Sequence, residues 1–149
     1  MKHSIRKEDV KYVVQPEQRK VIAYIEGTRN LFSDFVEENQ GPWVEQDYWT
    51  DNSQRLEQKL KMPNKFVGVA TCGPDDEWDE EIGRLIAFDR MKDNLNKSFF
   101  KRANTYVAEM EKRLDLFCDR TNAYGQKLEY NTNRRKALIK KILGSDTEE

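Results

Sequence analysis

The sequence predicts an α+β protein, a small antiparallel sheet followed by long C-terminal helices that form an oligomer interface. Three observations carry this expectation. Two short β-like runs lie between Val10 and Ile25, a third apolar run covers Phe66 to Cys72, and from Leu85 to Phe117 apolar residues recur at steps of three and four. At 149 residues the chain has the size of one domain. Residues 1–143 are expected to form it, with residues 144–149 as an acidic, disordered tail.

Val10 to Val14 alternate loosely and pass through Gln15-Pro16-Glu17-Gln18 into Arg19 to Ile25. There Val21, Ala23 and Ile25 fall on one face and Ile22 and Tyr24 on the other, so the spacing predicts a hairpin. Gly27 to Asn30 end the second strand, and Leu31, Phe32, Phe35 and Val36 then predict a short helix to about Glu38, stopped by Gln40-Gly41-Pro42. Between Trp43 and Leu60 two readings stay open. One is a helix that starts at Asp51 or Ser53 and carries Leu56 and Leu60, and the other is a loop that lays Trp43, Tyr48 and Trp49 over the sheet.

After Pro63-Asn64, the run Phe66-Val67-Gly68-Val69-Ala70-Thr71-Cys72 reads as a buried strand, and Gly73-Pro74 breaks it. The acids from Asp75 to Glu81 suit the positive end of a helix that begins near Ile82. Its apolar stripe runs through Leu85, Phe88, Met91 or Lys92, Leu95, Phe99, Ala103, Tyr106, Met110, Leu114 and Phe117. One helix bent between Asp93 and Ser98, or two helices in succession, would each produce it. The sheet can cover part of such a stripe, and self-association is expected along the remainder. Tyr124-Gly125 reads as a helix stop, and Asn131-Thr132-Asn133 as caps for a last helix from Arg134 to Leu143.

Composition narrows the function classes. Hydrophobic residues make up 37% and charged residues 36%, and the formal charge is −1. That near-neutrality argues against a duplex-DNA binder. The charge is nevertheless segregated: residues 1–89 hold 12 Lys+Arg against 18 Asp+Glu, and residues 90–149 hold 14 against 9. A basic site for an anion, head-to-tail contact between copies, or simply solvated helix faces would all fit. The 2 cysteines are too few for a disulfide framework. No apolar run spans a membrane and MKHSIRKEDV lacks a signal-peptide core, so a soluble cytoplasmic protein is expected.

Catalytic signatures are sparse. His3 is the only histidine and falls in an expected frayed terminus, which argues against Ser–His or Cys–His pairs and a zinc site. No phosphate-loop or dinucleotide glycine pattern occurs, so no cofactor is implied. The acids Asp75, Asp76, Glu77, Asp79, Glu80 and Glu81 can be read as divalent-ion ligands, but a solvated helix cap is the heavier reading, and no metal site is expected.

Along the long helix, Arg90, Asn94, Ser98, Lys101, Arg102 and Thr105 share a flank. Guanidiniums fork onto oxyanions, amides read base or ribose edges, hydroxyls bond phosphate oxygens, and Phe99, Phe100 or Tyr106 can stack on a base. A second anion site is expected at Asn131, Asn133, Arg134 and Arg135, beside a helix start. In both places an ordinary solvated face or cap remains an alternative.

The string PNKFVGVATCGPDDEWDEEIGRLIAFDRMKDNLNKSFFKRANTY, residues 63–106, resembles phage anti-Thoeris proteins of the first type described, with weaker agreement from Arg19 to Asn30 and in Asn131 to Arg135. The resemblance implies a phage protein that sequesters a cyclic nucleotide immune signal in the host cytoplasm without cleaving it. That ligand would be glycocyclic ADP-ribose or a cyclic di- or trinucleotide. It implies assembly with itself as a dimer or a trimer of dimers, with ligand held at subunit interfaces. It also implies that Asn94 and Ser98 line the pocket, that Arg29 and Arg90 meet phosphates, and that Arg134 and Arg135 serve a second pocket. The alternative is a phage inhibitor that binds a host defence protein through the acidic half of the chain.

Overall fold

The structure, a computed structural model, describes residues 5–39 and 58–145. By its internal contacts the chain divides into two units, Met1–Val107 and Ala108–Glu149. The expected α+β architecture is present in the first. Strands β1 (Lys11–Gln15), β2 (Lys20–Glu26) and β3 (Lys65–Thr71) form an antiparallel sheet in the order β1-β2-β3. Helix α1 (Leu31–Asn39) follows β2, and helix α2 (Glu80–Ser145) follows β3. The reading of residues 43–57, and His3, lie outside the described residues.

The hairpin forms where the alternation placed it. Pro16–Gln18 make one 3-10 turn, for which proline supplies a preset φ, and Arg19 turns the chain into β2 with a left-handed φ of 50°. Period-two alternation then sorts the side chains. Val21, Ala23 and Ile25 are buried, and their register partners Ala70, Gly68 and Phe66 are buried beside them. The opposite face carries Val13, Ile22, Tyr24 and Val67, with the Lys65 ammonium 4.5 Å from the centre of the Tyr24 ring.

Helix α2 starts at the acidic turn because Asp79 caps it, its Oδ1 accepting the Ile82 N–H at 3.2 Å. Arg84 bonds Glu80 one turn back at 3.0 Å and lies 5.1 Å from the centre of the Tyr12 ring. The helix then lies directly on the sheet. A Cβ added to Gly68 would collide with the Ala87 carbonyl and the Met91 nitrogen, so glycine is what admits the helix at this point. Ala87, Met91 and Leu95, one turn apart, are buried on that side.

Further along, α1 joins the core. Phe32 meets Phe99 edge-on at 5.1 Å between centroids and Tyr106 at 6.1 Å, and Phe35 meets Phe99 at 5.2 Å. Buried Thr28 ties the loops together: its hydroxyl donates to the Pro63 carbonyl at 2.5 Å and its N–H to the Asn64 carbonyl at 3.4 Å. The first part of the apolar stripe, from Met91 to Tyr106, therefore packs within this unit, with Met91, Leu95 and Tyr106 buried.

The expected helix boundaries after Tyr106 do not occur. Helix α2 is a single element of 66 residues that runs through Asp93–Ser98, Tyr124-Gly125 and Asn131–Asn133 and into the expected tail at Gly144. A lone glycine costs a helix only about 1 kcal/mol, and Gly125 stands between the good helix formers Ala123, Gln126, Lys127 and Leu128. In the second unit the side chains of this helix are almost all exposed, Phe117, Tyr124 and Leu128 by 68%, 71% and 67%.

Candidate ligand-binding faces of helix α2

The order β1-β2-β3 leaves β3 at an edge, where carbonyls pointing away from β2 need partners. Two residues of α2 provide them. Arg90 Nη1 donates to the Val69 carbonyl at 2.7 Å, and Asn94 Nδ2 donates to the Val67 carbonyl at 2.9 Å. The match is geometric: acceptors two residues apart on one strand edge meet donors one turn apart on a helix.

Two turns on, Arg102 clamps the segment that leads into β3. Its Nε donates to the Lys61 carbonyl at 3.2 Å, and its Nη1 donates to the Ser98 carbonyl and hydroxyl at 3.1 and 2.5 Å. Thr105 returns its hydroxyl proton to the Lys101 carbonyl at 3.1 Å. The structure thus aligns Arg90, Asn94, Ser98, Arg102 and Thr105 on one stripe, as their spacing predicts, but each already serves the fold. Arg90, Asn94 and Lys101 remain exposed to solvent. Arg29, also exposed, belongs to the loop before α1, and its carbonyl accepts the Met62 N–H at 3.0 Å. Of the three rings offered for stacking, Tyr106 is buried and Phe99 half-buried, which leaves Phe100 at 66% exposure.

Asn131, Asn133, Arg134 and Arg135 lie inside α2, about three to four turns before its C-terminal end and not at a helix start. Free N–H groups are a property of the first turn, so the anion site expected from a helix N-terminus does not exist there. What the helix provides is a common face for Asn131, Arg134 and Arg135, three and four residues apart, with Asn133 turned away.

Sequence reasoning missed Arg19. Its guanidinium donates to the Pro74 carbonyl at 3.2 Å, to the Asp76 carbonyl, and to the Cys72 sulfur at 3.3 Å, and so joins the start of β2 to the acidic turn. No local signal marks it, because all three partners lie more than fifty residues away in the chain. A cleft of about 460 Å³ opens between the N-terminal 3-10 turn and the end of β2. Its carboxylates Glu8, Asp9 and Glu26 outnumber Lys11, a lining unsuited to an anion. Among the described residues no group of histidines, cysteines and carboxylates is arranged to hold a metal ion, and no helix is long and apolar enough to cross a membrane. Comparison with protein-family models, curated proteins and solved structures finds no match to this chain.

Proposed function

We propose that this protein is a phage anti-defence protein that binds and sequesters a cyclic nucleotide signal, glycocyclic ADP-ribose or a cyclic di- or trinucleotide, without cleaving it. It would act in the cytoplasm of the infected bacterium, as an assembly of identical copies. The observation that supports this reading most is the pair Arg90 and Asn94. One bond each to β3 holds them in place while they stay exposed. A guanidinium has five N–H donors and an amide has two donors and an acceptor, so both retain capacity for a phosphate and a ribose or base edge. Donors fixed in this way lose little freedom when a ligand arrives, which favours binding. Exposed Lys101 adds positive charge on the same flank. The resemblance of residues 63–106 to anti-Thoeris proteins supports the choice of ligand.

Purified protein incubated with glycocyclic ADP-ribose, washed and then heated should release the molecule intact. No retained ligand, or recovery of a cleaved product, would refute sequestration. Direct inhibition of a host defence protein is the second reading, supported by the acidic lining at Glu8, Asp9 and Glu26. Stoichiometric capture of one host protein by nucleotide-free protein, together with no retention of glycocyclic ADP-ribose, would favour it.

A further inference from the structure

We infer that the exposed helix of the second unit pairs with the same segment of a second copy as a parallel, in-register coiled coil from Met110 to Leu138. The inference does not depend on the ligand reading. It rests first on period. In heptad terms, with a and d the seam positions and e and g their flanks, Leu114, Thr121, Leu128 and Arg135 stand at a, and Met110, Phe117, Tyr124, Asn131 and Leu138 at d. Six of these nine seam positions over 29 residues, Met110, Leu114, Phe117, Tyr124, Leu128 and Leu138, are apolar, and Thr121, Asn131 and Arg135 are the polar ones. Along that seam Leu114, Phe117, Tyr124 and Leu128 are each at least 60% exposed, a contiguous apolar surface that a soluble protein rarely leaves open.

Charge then selects the occupant and its direction. Every g position is a cation: Arg113, Arg120, Lys127 and Arg134. An antiparallel pairing sets this row against itself, cation on cation. A parallel pairing sets it against the e row of the second copy, where Cys118, Gly125 and Thr132 are small and uncharged. Just outside those small residues lie Asp115 and Glu129, one turn away on the same helix. The long cations of one copy can cross the flank and reach the acids of the other, so a second copy of this chain is itself the complementary partner. Asn131, at d, meets its own counterpart only when the helices are parallel and in register, where the two amides can bond each other. Arg135 is the one cation that parallel pairing sets beside its twin, and its stem can lie along the seam with the guanidinium in water.

The test uses the full chain with C72S and C118S. Leu128→Cys protein should oxidise to a covalent dimer linked through the two introduced thiols. No antiparallel register that keeps the seam closed brings position 128 opposite itself. Failure to self-link, with efficient linking of Leu128→Cys to Phe117→Cys or Tyr124→Cys protein, would overturn the parallel direction. In sedimentation the cysteine-free parent should be an assembly, and Leu128→Asp should halve its mass while the sheet-bearing unit keeps its unfolding transition. A monomeric parent, or an unchanged mass in Leu128→Asp, would overturn the pairing. Arg135→Leu should strengthen the association; weaker association would equally count against it.

Discussion

Arg90 and Asn94 show how one side chain can serve the fold and stay available to a ligand. Asn94→Ala removes the donor to the Val67 carbonyl, but that carbonyl is at an exposed edge where water can replace it. The cost should be roughly 0.5–1.5 kcal/mol, read as a shift in the urea midpoint. Gly68→Ala is the harsher change, although it adds one methyl. Its Cβ meets backbone atoms of α2 that cannot rotate away, so the helix must move, at about 1–3 kcal/mol or more. The two variants therefore rank themselves: a smaller midpoint shift for Gly68→Ala than for Asn94→Ala would contradict the close helix–sheet contact. The stripe from Arg90 to Thr105 was legible in the sequence as a donor-rich flank. What it faces was not, since the open edge of β3 follows from strand order, and strand order is set by long-range pairing that local pattern does not contain.

At the scale of elements, alternation and turn chemistry were enough to place the hairpin and β3, and the acidic turn was readable as a cap. Asp79→Ala tests that cap. The loss should be about 0.5–2 kcal/mol, and Asp79→Asn should recover most of it, because an amide oxygen can still accept the Ile82 N–H. Helix ends were misread where a local stop signal met a strong helical neighbourhood, as at Gly125. There the structure leaves open space around the missing Cβ. Gly125→Ala should accordingly raise the stability of the second unit by about 1 kcal/mol, seen as higher helicity on heating by circular dichroism. No gain would mean that the glycine is needed by something that approaches it closely. The stripe of apolar residues was legible throughout, but its division was not. Period alone cannot say that Phe99 and Tyr106 bury against Phe32 while Phe117 and Tyr124 are left uncovered by the chain's own fold. That division depends on α1 reaching only the earlier part of the helix. Phe99→Asp should thus unfold the first unit, with a loss of several kcal/mol, and not merely dissociate an assembly.

At the scale of the molecule, the two units differ in how they hold together. The first has a sheet, two helical segments and a ring cluster, and it encloses the buried residues from Val10 to Tyr106. The second is one helix whose described side chains are nearly all exposed, so as a monomer its contribution to buried surface is small. Denaturant slope follows the surface exposed on unfolding. A chain ended after Glu109 keeps Tyr106 and every contact of the ring cluster. At dilutions where the full chain is monomeric, it should unfold in one cooperative transition with nearly the same midpoint and slope as the sheet-bearing unit of the full chain. It should also lose the association carried by residues 110–138. The two outcomes separate cleanly, because the first reports on the core and the second on the seam. A truncated chain without a cooperative transition would show that the second unit supports the first through contacts that its exposed side chains do not display. A truncated chain that keeps the full chain's assembly state would move the interface onto the first unit, where the open sheet face at Val13 and Val67 would be the surface to mutate next.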